Sequence, residues 1–563
     1  MPGRFALLST LLLLAAGLAY LLGNGRAPLL DRDEPRYAIT SRNMLHSGDY
    51  IVPRQYDRPR TAKPPMIYWL QAASMRLLGD TSAAARLPSA LAMLTLLALL
   101  LATLRKELDD DTALLAVAVF AFAGLTGFLA KLAITDAVLT LAVAVSMACV
   151  YRYWRGDRSW AVFLVWAVAT GVAGLTKGPV ALALQLVTAA LLGLLTRLDR
   201  RFPPKAAWTT YDAPYIAPPP ARRARLHLKK YAVAAAVLAA VVLPWLIAVT
   251  WNEPSFLSRA IEHDVVRRST RGVDGQARPP GFYLLTLFGT FFPWSVMIPA
   301  AVVLGWKQRH RPLTRFCFAW LVGGWAMFEA VTSKMVHWFL PMFLPLSVLT
   351  AQAIADCTRG LFRDFRQWSF RVGVGVWAAV TLALGLAPWW LVWKLPPTPA
   401  WVAGVLTVWA VVTAALGAVL LWRHQLRAAV AALAGSMALL FPLTFAVVLP
   451  NLWFLQLGRV VGEDLLARGA IGRGEVIMVG FREPSLAFYQ GGSIREAESG
   501  DLDTTSARWA TVSSTVWDRL GPDTRDRWEV LASYRGMAYA DSPEVIDVHV
   551  LRRREFPPPA PSP

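Results

Sequence analysis

Apolar runs of about twenty residues recur along the whole chain, beginning near Phe5, Ala84, Thr112, Ile134, Ser159, Pro179, Tyr231, Phe282, Leu313, Trp338, Val372, Trp401 and Ala428. A hydrocarbon core about 30 Å thick is crossed by roughly 20 helical residues. Within lipid every backbone N–H and C=O must find a partner inside its own segment, so these runs predict about thirteen transmembrane helices. Of the 563 residues, 56% are hydrophobic and 17% charged, a balance that excludes a water-soluble domain. The first run, Phe5 to Leu22, has the length of a signal peptide, but "GLAYLLGNGRA" offers no good small-x-small cleavage site, so it is read as a helix.

The formal charge of +20 does not point to nucleic acid, because its basic residues fall between the apolar runs. Arg152, Arg155 and Arg158, the stretch from Arg197 to Lys230, Lys307 to Arg315, and Arg359 to Arg371 occupy alternate gaps. The positive-inside rule places those gaps in the cytoplasm. The other gaps then face outward: Leu29 to Ser82, the turn at Lys131, "GLTKGP", Trp251 to Gly281, "SKMVHW" and everything after Asn451. Cys149, Cys317 and Cys357 lie far apart with no CxxC pattern, which supports neither a disulfide framework nor a cysteine metal site.

After the last run the composition changes. From about Gln456 to Glu555, charges mix with short β-prone pieces such as "GEVIMVGF", "WEVLASY" and "VIDVHVL", bounded by Gly, Pro and Asp. The expected organisation is a membrane domain over 1–455 with a first extracytoplasmic loop at 25–82, a small extracytoplasmic α/β domain over 456–555, and a disordered "PPPAPSP" end at 556–563.

Ionisable residues at membrane depth mark a functional site by default. Asp33 and Glu34 stand just beyond the first helix, followed in the same loop by Arg36, Arg42, Arg54, Arg58, Arg60 and Lys63. Such a loop can bind an anion and hold a base beside it. Pro64 and Pro65 stiffen the chain next to Lys63 and can start a helix, whose Tyr68 and Trp69 suit the membrane interface. Lys63 is thereby set at the headgroup level, where a lipid phosphate lies. A decorated interfacial loop and a snorkelling lysine are the bland alternatives.

The stretch "DRDEPRYAITSRNMLHSGDYIVPRQYDRPRTAKPPMIYWLQA" resembles the first loop of bacterial polyprenyl-phosphate-dependent glycosyltransferases of the aminoarabinose transferase and protein O-mannosyltransferase superfamily, which have the GT-C membrane fold. Asp-Glu-x-Arg-Tyr-Ala, Gly-Asp-x-x-x-Pro and Lys-Pro-Pro-x-x-Tyr-Trp occur in the family's order and spacing. "ITDAVLT", "GLTKGPVAL", "PPGFYLL" with "FFPWS", "SKMVHWFLP" and "GFREPSLAFY" extend the likeness over nearly the full length.

The resemblance implies a sugar transfer from an undecaprenyl-type phosphate carrier, on the periplasmic side of a bacterial inner membrane, with inversion at the anomeric carbon. In that reading Asp33 is the carboxylate that accepts the acceptor's proton, with Glu34 as a neighbouring participant. Arg36 and Lys63 grip the carrier phosphate, whose charge grows as the sugar leaves. Arg267 or Arg268, in "SRAIEHDVVRRSTRG", is the matching loop arginine. Asp136, Lys177, His263 and Lys334 are candidate cavity residues, although Asp136 also suits a helix start and "TKGP" a tight turn. Some relatives bind zinc with a histidine in the His263 loop and a glutamate immediately before the Lys-Pro-Pro lysine; here that position is Ala62, and no metal is expected.

Acceptors compatible with the likeness are lipid A, as with 4-amino-4-deoxy-L-arabinose transfer, a protein hydroxyl, or an envelope polysaccharide. A lipid transporter or flippase is the competing class, but no internal repeat is visible and the suspect charges gather on one side of the membrane.

Overall fold

The computed structural model describes residues 2–201, 227–272, 275–358, 368–423, 425–472, 474–539 and 544–554. The expected disordered end at 556–563 and the basic stretches at 202–226 and 359–367 lie outside them. The chain is a helical membrane protein with a small sheet at its C-terminal end. Ten described helices are long and apolar enough to cross a membrane, and an eleventh span forms if Asp110–Ala121 and Gly124–Ala130, bent by 66°, count together.

The expected number near thirteen is not reached because two runs depart from the simple pattern. The run from Phe282 breaks around Pro293 into Phe282–Thr290 and Trp294–Lys307. Proline has no N–H to continue a helical ladder. Pro312–Ala330 is 19 residues long but falls short in apolarity, and much of its surface packs against protein rather than lipid. Val336–Thr358 is the central helix, with 94% of its apolar window buried, whereas Leu228–Asn252 has 17% buried and faces the bilayer.

The first long loop folds against this bundle. Helix α1 (Pro2–Leu21) leads through residues 22–32 into α2 (Asp33–Ser47), which ends where Gly48 takes a left-handed conformation and donates its N–H to Met44. A short hairpin, β1 (Arg54–Gln55) and β2 (Arg58–Pro59), precedes α3 (Met66–Leu78) and the spanning helix α4 (Ser82–Leu104). Ser41 donates to Gln71 Oε1 at 2.7 Å, and Gln71 donates to the Ala133 carbonyl at 3.1 Å. These bonds tie α2 to α3 and to the turn beyond Lys131.

The C-terminal sheet has the order β4-β3-β5-β7-β6, from β3 (Val476–Val479), β4 (Arg495–Ala497), β5 (Trp509–Ser513), β6 (Trp528–Ala538) and β7 (Glu544–Arg553). Strands β4, β3 and β5 run parallel, and β5, β7 and β6 antiparallel. Its side chains share one apolar cluster with Leu29, Ala38, Ile39, Met75, Ala84, Ala85 and Ala133. The secondary structure changes near residue 456, but the buried core runs across that point.

Candidate active site

Two adjacent acids at the start of α2 have opposite surroundings. Glu34 is 2% exposed, and its carboxylate accepts four hydrogen bonds: Arg86 Nε at 2.8 Å and Ala133 N at 2.7 Å on Oε1, Arg86 Nη2 at 2.7 Å and Leu30 N at 2.9 Å on Oε2. A carboxylate offers about four lone-pair sites, so Glu34 has no oxygen to spare for a substrate. The expectation that Glu34 takes part in chemistry is corrected to a structural one: it and Arg86 fasten the loop to α4. Arg86 completes the fastening by donating to the carbonyls of Asn24, Ala27 and Pro28 at 2.6–2.9 Å.

Asp33, the first residue of α2, is half-buried, and among the described residues no hydrogen bond or ion pair engages its carboxylate. A carboxylate at a helix N-terminus is favoured by the exposed N–H groups of the first turn. Beside it, Tyr37 and Tyr68 lie with ring centroids 5.8 Å apart. Arg60 donates to the Tyr68 hydroxyl at 3.0 Å and stands 5.3 Å over the Tyr37 ring. Burial, with the Tyr68 phenol and the Asp33 carboxylate, holds the Tyr37 phenol above its ordinary value. Arg36 follows Asp33 by one turn and lies close enough to the hairpin's Tyr56 to act on that phenol. Lys63 turns at the approach to Pro64 and Pro65, donating to the Ala62 carbonyl at 2.7 Å.

Helix direction brings a second group to the same end of the bundle. Asp136 begins the helix Asp136–Trp154, while Lys177 ends Trp160–Lys177, and the two pair at 2.7 Å with both side chains largely buried. Asp136 makes no capping bond, and Lys177 is no surface turn residue, so the bland reading fails for both. His337 Nε2 stands 3.9 Å from the other oxygen of Asp136. The neighbouring Trp338 ring lies between two cations, Lys177 at 5.6 Å and Arg268 at 5.7 Å. Asp33 and Lys63 also act electrostatically on His337, which joins the two groups into one site.

The remaining candidates separate. Arg267 points outward and pairs with exposed Glu262 at 2.6 Å, whereas Arg268 is turned toward Trp338. Lys334 is buried and donates to the Arg278 carbonyl at 3.0 Å, tying two loops together rather than facing the cavity. The side chain of His263 lies outside the described residues. Position 62 is a methyl side chain, so the glutamate that the resemblance would set immediately before Lys63 is absent here. Sequence reasoning missed Arg86, His337 and Trp338; the signal for Arg86 was a lone guanidinium inside "SAAARLPSALAML".

The C-terminal sheet region closes over this site. Ser485 N donates to Asp31 Oδ1 at 2.9 Å, Leu29 N to the Tyr489 hydroxyl at 2.9 Å, and Asp31 N to the Tyr539 hydroxyl at 3.1 Å. Arg42 donates to the Phe488 carbonyl and lies 4.1 Å over its ring. Asp31 Oδ2 is buried without a donor, beside the buried Glu483 carboxyl. Burial first, then the Glu483 carboxylate, pushes the Asp31 carboxyl well above the usual range.

The fold of this chain is similar to that of known proteins. The solved structure of ArnT from Cupriavidus metallidurans bound to undecaprenyl phosphate superposes with a TM-score of 0.71, 21% identity and coverage of 96% of this chain and 97% of that one. The chain has the GT-C membrane fold. Residues 62–211 match the family profile described as dolichyl-phosphate-mannose-protein mannosyltransferase. An undecaprenyl phosphate-alpha-4-amino-4-deoxy-L-arabinose arabinosyl transferase of Pseudomonas paraeruginosa is 31% identical over 356 residues, 62% of this chain and 60% of that protein. The second such transferase of Pseudomonas fluorescens is 29% identical over 351 residues, 62% of this chain and 56% of its own length. The matches thus span under two thirds of these relatives. Asp33, Asp136, Lys177 and Arg268 stand at the ends of four different helices, and Lys63 lies in the loop that leads into α3.

Proposed function

We propose that the chain is an integral membrane glycosyltransferase that moves a sugar from a polyprenyl-phosphate carrier to an acceptor on the extracytoplasmic face of a bacterial inner membrane. The observation that carries this reading is the uncommitted carboxylate of Asp33 beside a set of cations, Lys63, Lys177 and Arg268, at one end of the bundle. A lone base beside concentrated positive charge suits a transfer in which an acceptor hydroxyl loses a proton while a phosphate leaves as an anion.

In this mechanism Lys63 and Arg268 hold the carrier phosphate, with Lys177 as a cation fixed in place by Asp136. Asp33 accepts the hydroxyl proton as the acceptor oxygen attacks the anomeric carbon from the face opposite the phosphate. The sugar–phosphate bond breaks in the same step, the configuration inverts, and no covalent sugar intermediate is needed. Arg36, one turn after Asp33 on α2, is a further cation for the phosphate and also lies close enough to Tyr56 to act on it.

The names of the arabinosyl transferase relatives favour 4-amino-4-deoxy-L-arabinose as the sugar, and lipid A is the acceptor taken with it in the first reading. The mannosyltransferase family profile favours a second reading with a protein hydroxyl as acceptor. Purified protein given radiolabelled undecaprenyl-phosphate-aminoarabinose with lipid A, in parallel with unfolded acceptor polypeptide, tests both. Label in lipid A supports the first; label in polypeptide supports the second. No release of polyprenyl phosphate with either acceptor refutes the transferase reading.

A further inference from the structure

Arg42 and Arg86 show how a structural guanidinium is satisfied in this part of the chain. Arg42 pairs with Asp80 at 3.0 Å and donates to the Phe488 carbonyl, and Arg86 pairs with Glu34 while donating to three carbonyls. Arg60 is satisfied differently. Its Nε donates to the Tyr68 hydroxyl at 3.0 Å and its Nη1 to Gln55 Oε1 at 2.6 Å, both neutral groups. Among the described residues no carboxylate lies within ion-pair distance of it, and Nη2 has no hydrogen-bond partner. A half-buried cation without a counter-charge is costly unless an anion from outside completes it.

The guanidinium is nevertheless held in place. Arg60 N donates to the Pro53 carbonyl at 2.7 Å across the β1–β2 hairpin, Gln55 belongs to β1, Tyr68 to α3, and the Tyr37 ring of α2 lies 5.3 Å from Arg60 Cζ. Three elements fix one planar fork, so little side-chain freedom is left to lose when a ligand binds. Helix geometry sets its place. Asp33 and Tyr37 are four residues apart on α2 and share one face, with Cβ atoms about 5–6 Å apart. Helical side chains lean toward the N-terminus, so the Tyr37 ring leans toward the Asp33 turn, and Arg60 packs beside that ring. Lys177 and Arg268 gather instead around Trp338. In a displacement with inversion, acceptor and carrier phosphate occupy opposite faces of the anomeric carbon. Asp33 belongs to the acceptor's face, and Arg60, packed on the same face of α2, belongs with it.

We propose that Arg60 is a specificity-determining residue that binds an oxyanionic group, phosphate or carboxylate, on the acceptor. Nη2 keeps both N–H groups and Nη1 one, enough for the two parallel bonds that an oxyanion accepts. A neutral hydroxyl acceptor leaves them unpaired. This inference rests on the transferase reading and adds the acceptor's charge to it: a phosphorylated glycolipid is preferred to an uncharged protein hydroxyl.

The test gives purified wild type, Arg60→Gln and Arg60→Lys radiolabelled undecaprenyl-phosphate-aminoarabinose with lipid A, with lipid A stripped of its phosphates, or with acceptor polypeptide. Acceptor KM, donor KM and monodispersity are read together. Wild type should use phosphorylated lipid A about tenfold or more better than the stripped form, the scale of a hydrogen bond to a charged group. Arg60→Gln should raise the lipid A KM by about tenfold or more with donor KM within threefold, and Arg60→Lys, a cation without the fork, should fall between. Equal use of both lipid forms by wild type, transfer to polypeptide alone, or an unchanged lipid A KM in Arg60→Gln overturns the inference and leaves the transferase reading standing. A donor KM that rises in step with the acceptor KM assigns the guanidinium to the carrier phosphate and overturns it as well. Wild type that releases no polyprenyl phosphate with any acceptor overturns the transferase reading itself. The wild-type arm decides even where Arg60→Gln fails to fold.

Discussion

Removing either partner of the Glu34–Arg86 pair should unfold the outward loop without touching the chemistry directly. Arg86→Ala leaves a carboxylate buried with two of its four donors gone, and strands three backbone carbonyls, those of Asn24, Ala27 and Pro28. Breaking a buried ion pair from one side costs about 3–5 kcal/mol. Glu34→Gln keeps the shape but sets an amide N–H₂ against Arg86 or a backbone N–H, and should fall in the lower part of that range. Replacing both by apolar residues, Glu34→Leu with Arg86→Met, removes the uncompensated charge. Because three carbonyls remain unsatisfied at about 1–3 kcal/mol each, the double variant should recover only part of the loss. Inactivation half-life in detergent and chemical denaturation would read this series, and the surviving folded fraction of Glu34→Gln should retain most of its kcat. A stable Glu34→Gln with kcat reduced a hundredfold would refute the structural assignment and return Glu34 to catalysis.

Four further outcomes follow from the site. Asp33→Asn should lose about 10²–10⁴ in rate at unchanged stability; activity above about one tenth of wild type would contradict a base role. Lys63→Ala and Arg268→Ala should each raise donor KM or cut kcat by about tenfold or more, since hydrogen bonds to charged groups contribute about 1.5–3 kcal/mol, while Arg267→Ala should stay within twofold. A cysteine at exposed Ser499 should react with an impermeant maleimide in intact spheroplasts, and one at exposed Arg155 only after lysis; the reverse pattern would place Asp33 in the cytoplasm. The Asp31 carboxyl, raised in the docked state, binds its proton more tightly there than when released. Docking is therefore strongest below the ordinary carboxylate range and weakens as pH rises through the raised value; Asp31→Asn should flatten this trend in hydrogen exchange of the 484–490 segment, and parallel trends in both proteins would exclude Asp31 as its source.

The membrane path was legible because lipid imposes one rule on every segment, and ten of the thirteen apolar runs correspond to described helices long and apolar enough to cross. It misled where protein replaced lipid as the neighbour: Pro312–Ala330 needs less apolarity, and the Phe282 run could break at Pro293 inside the bundle. Within the site, Asp33 and Lys63 were readable from local pattern, since loop charges beside prolines announce themselves. Glu34 was not, because its role is decided by Arg86, fifty-two residues away in the next spanning helix. His337 and Trp338 were hidden for the same reason: nothing local says that the start of the 336–358 helix meets the end of the 160–177 helix.

Asp33 therefore gains its place from three directions at once. Glu34 fixes the first turn of α2 to α4 through Arg86, the Ser41–Gln71 contact fixes its body to α3, and the Asp31 contacts with Ser485 and Tyr539 fix the residue pair just before it to the C-terminal sheet region. A base is effective only when held within hydrogen-bond reach of its proton, and a loop residue has no such precision by itself. Membrane helices supply the cations, but the rigidity of the carboxylate depends on the domain that closes over it. On the proposed function the sheet region would position the Asp33 carboxylate through its contacts with Leu29 and Asp31, even though none of its side chains lies among Asp33, Lys63, Lys177 and Arg268.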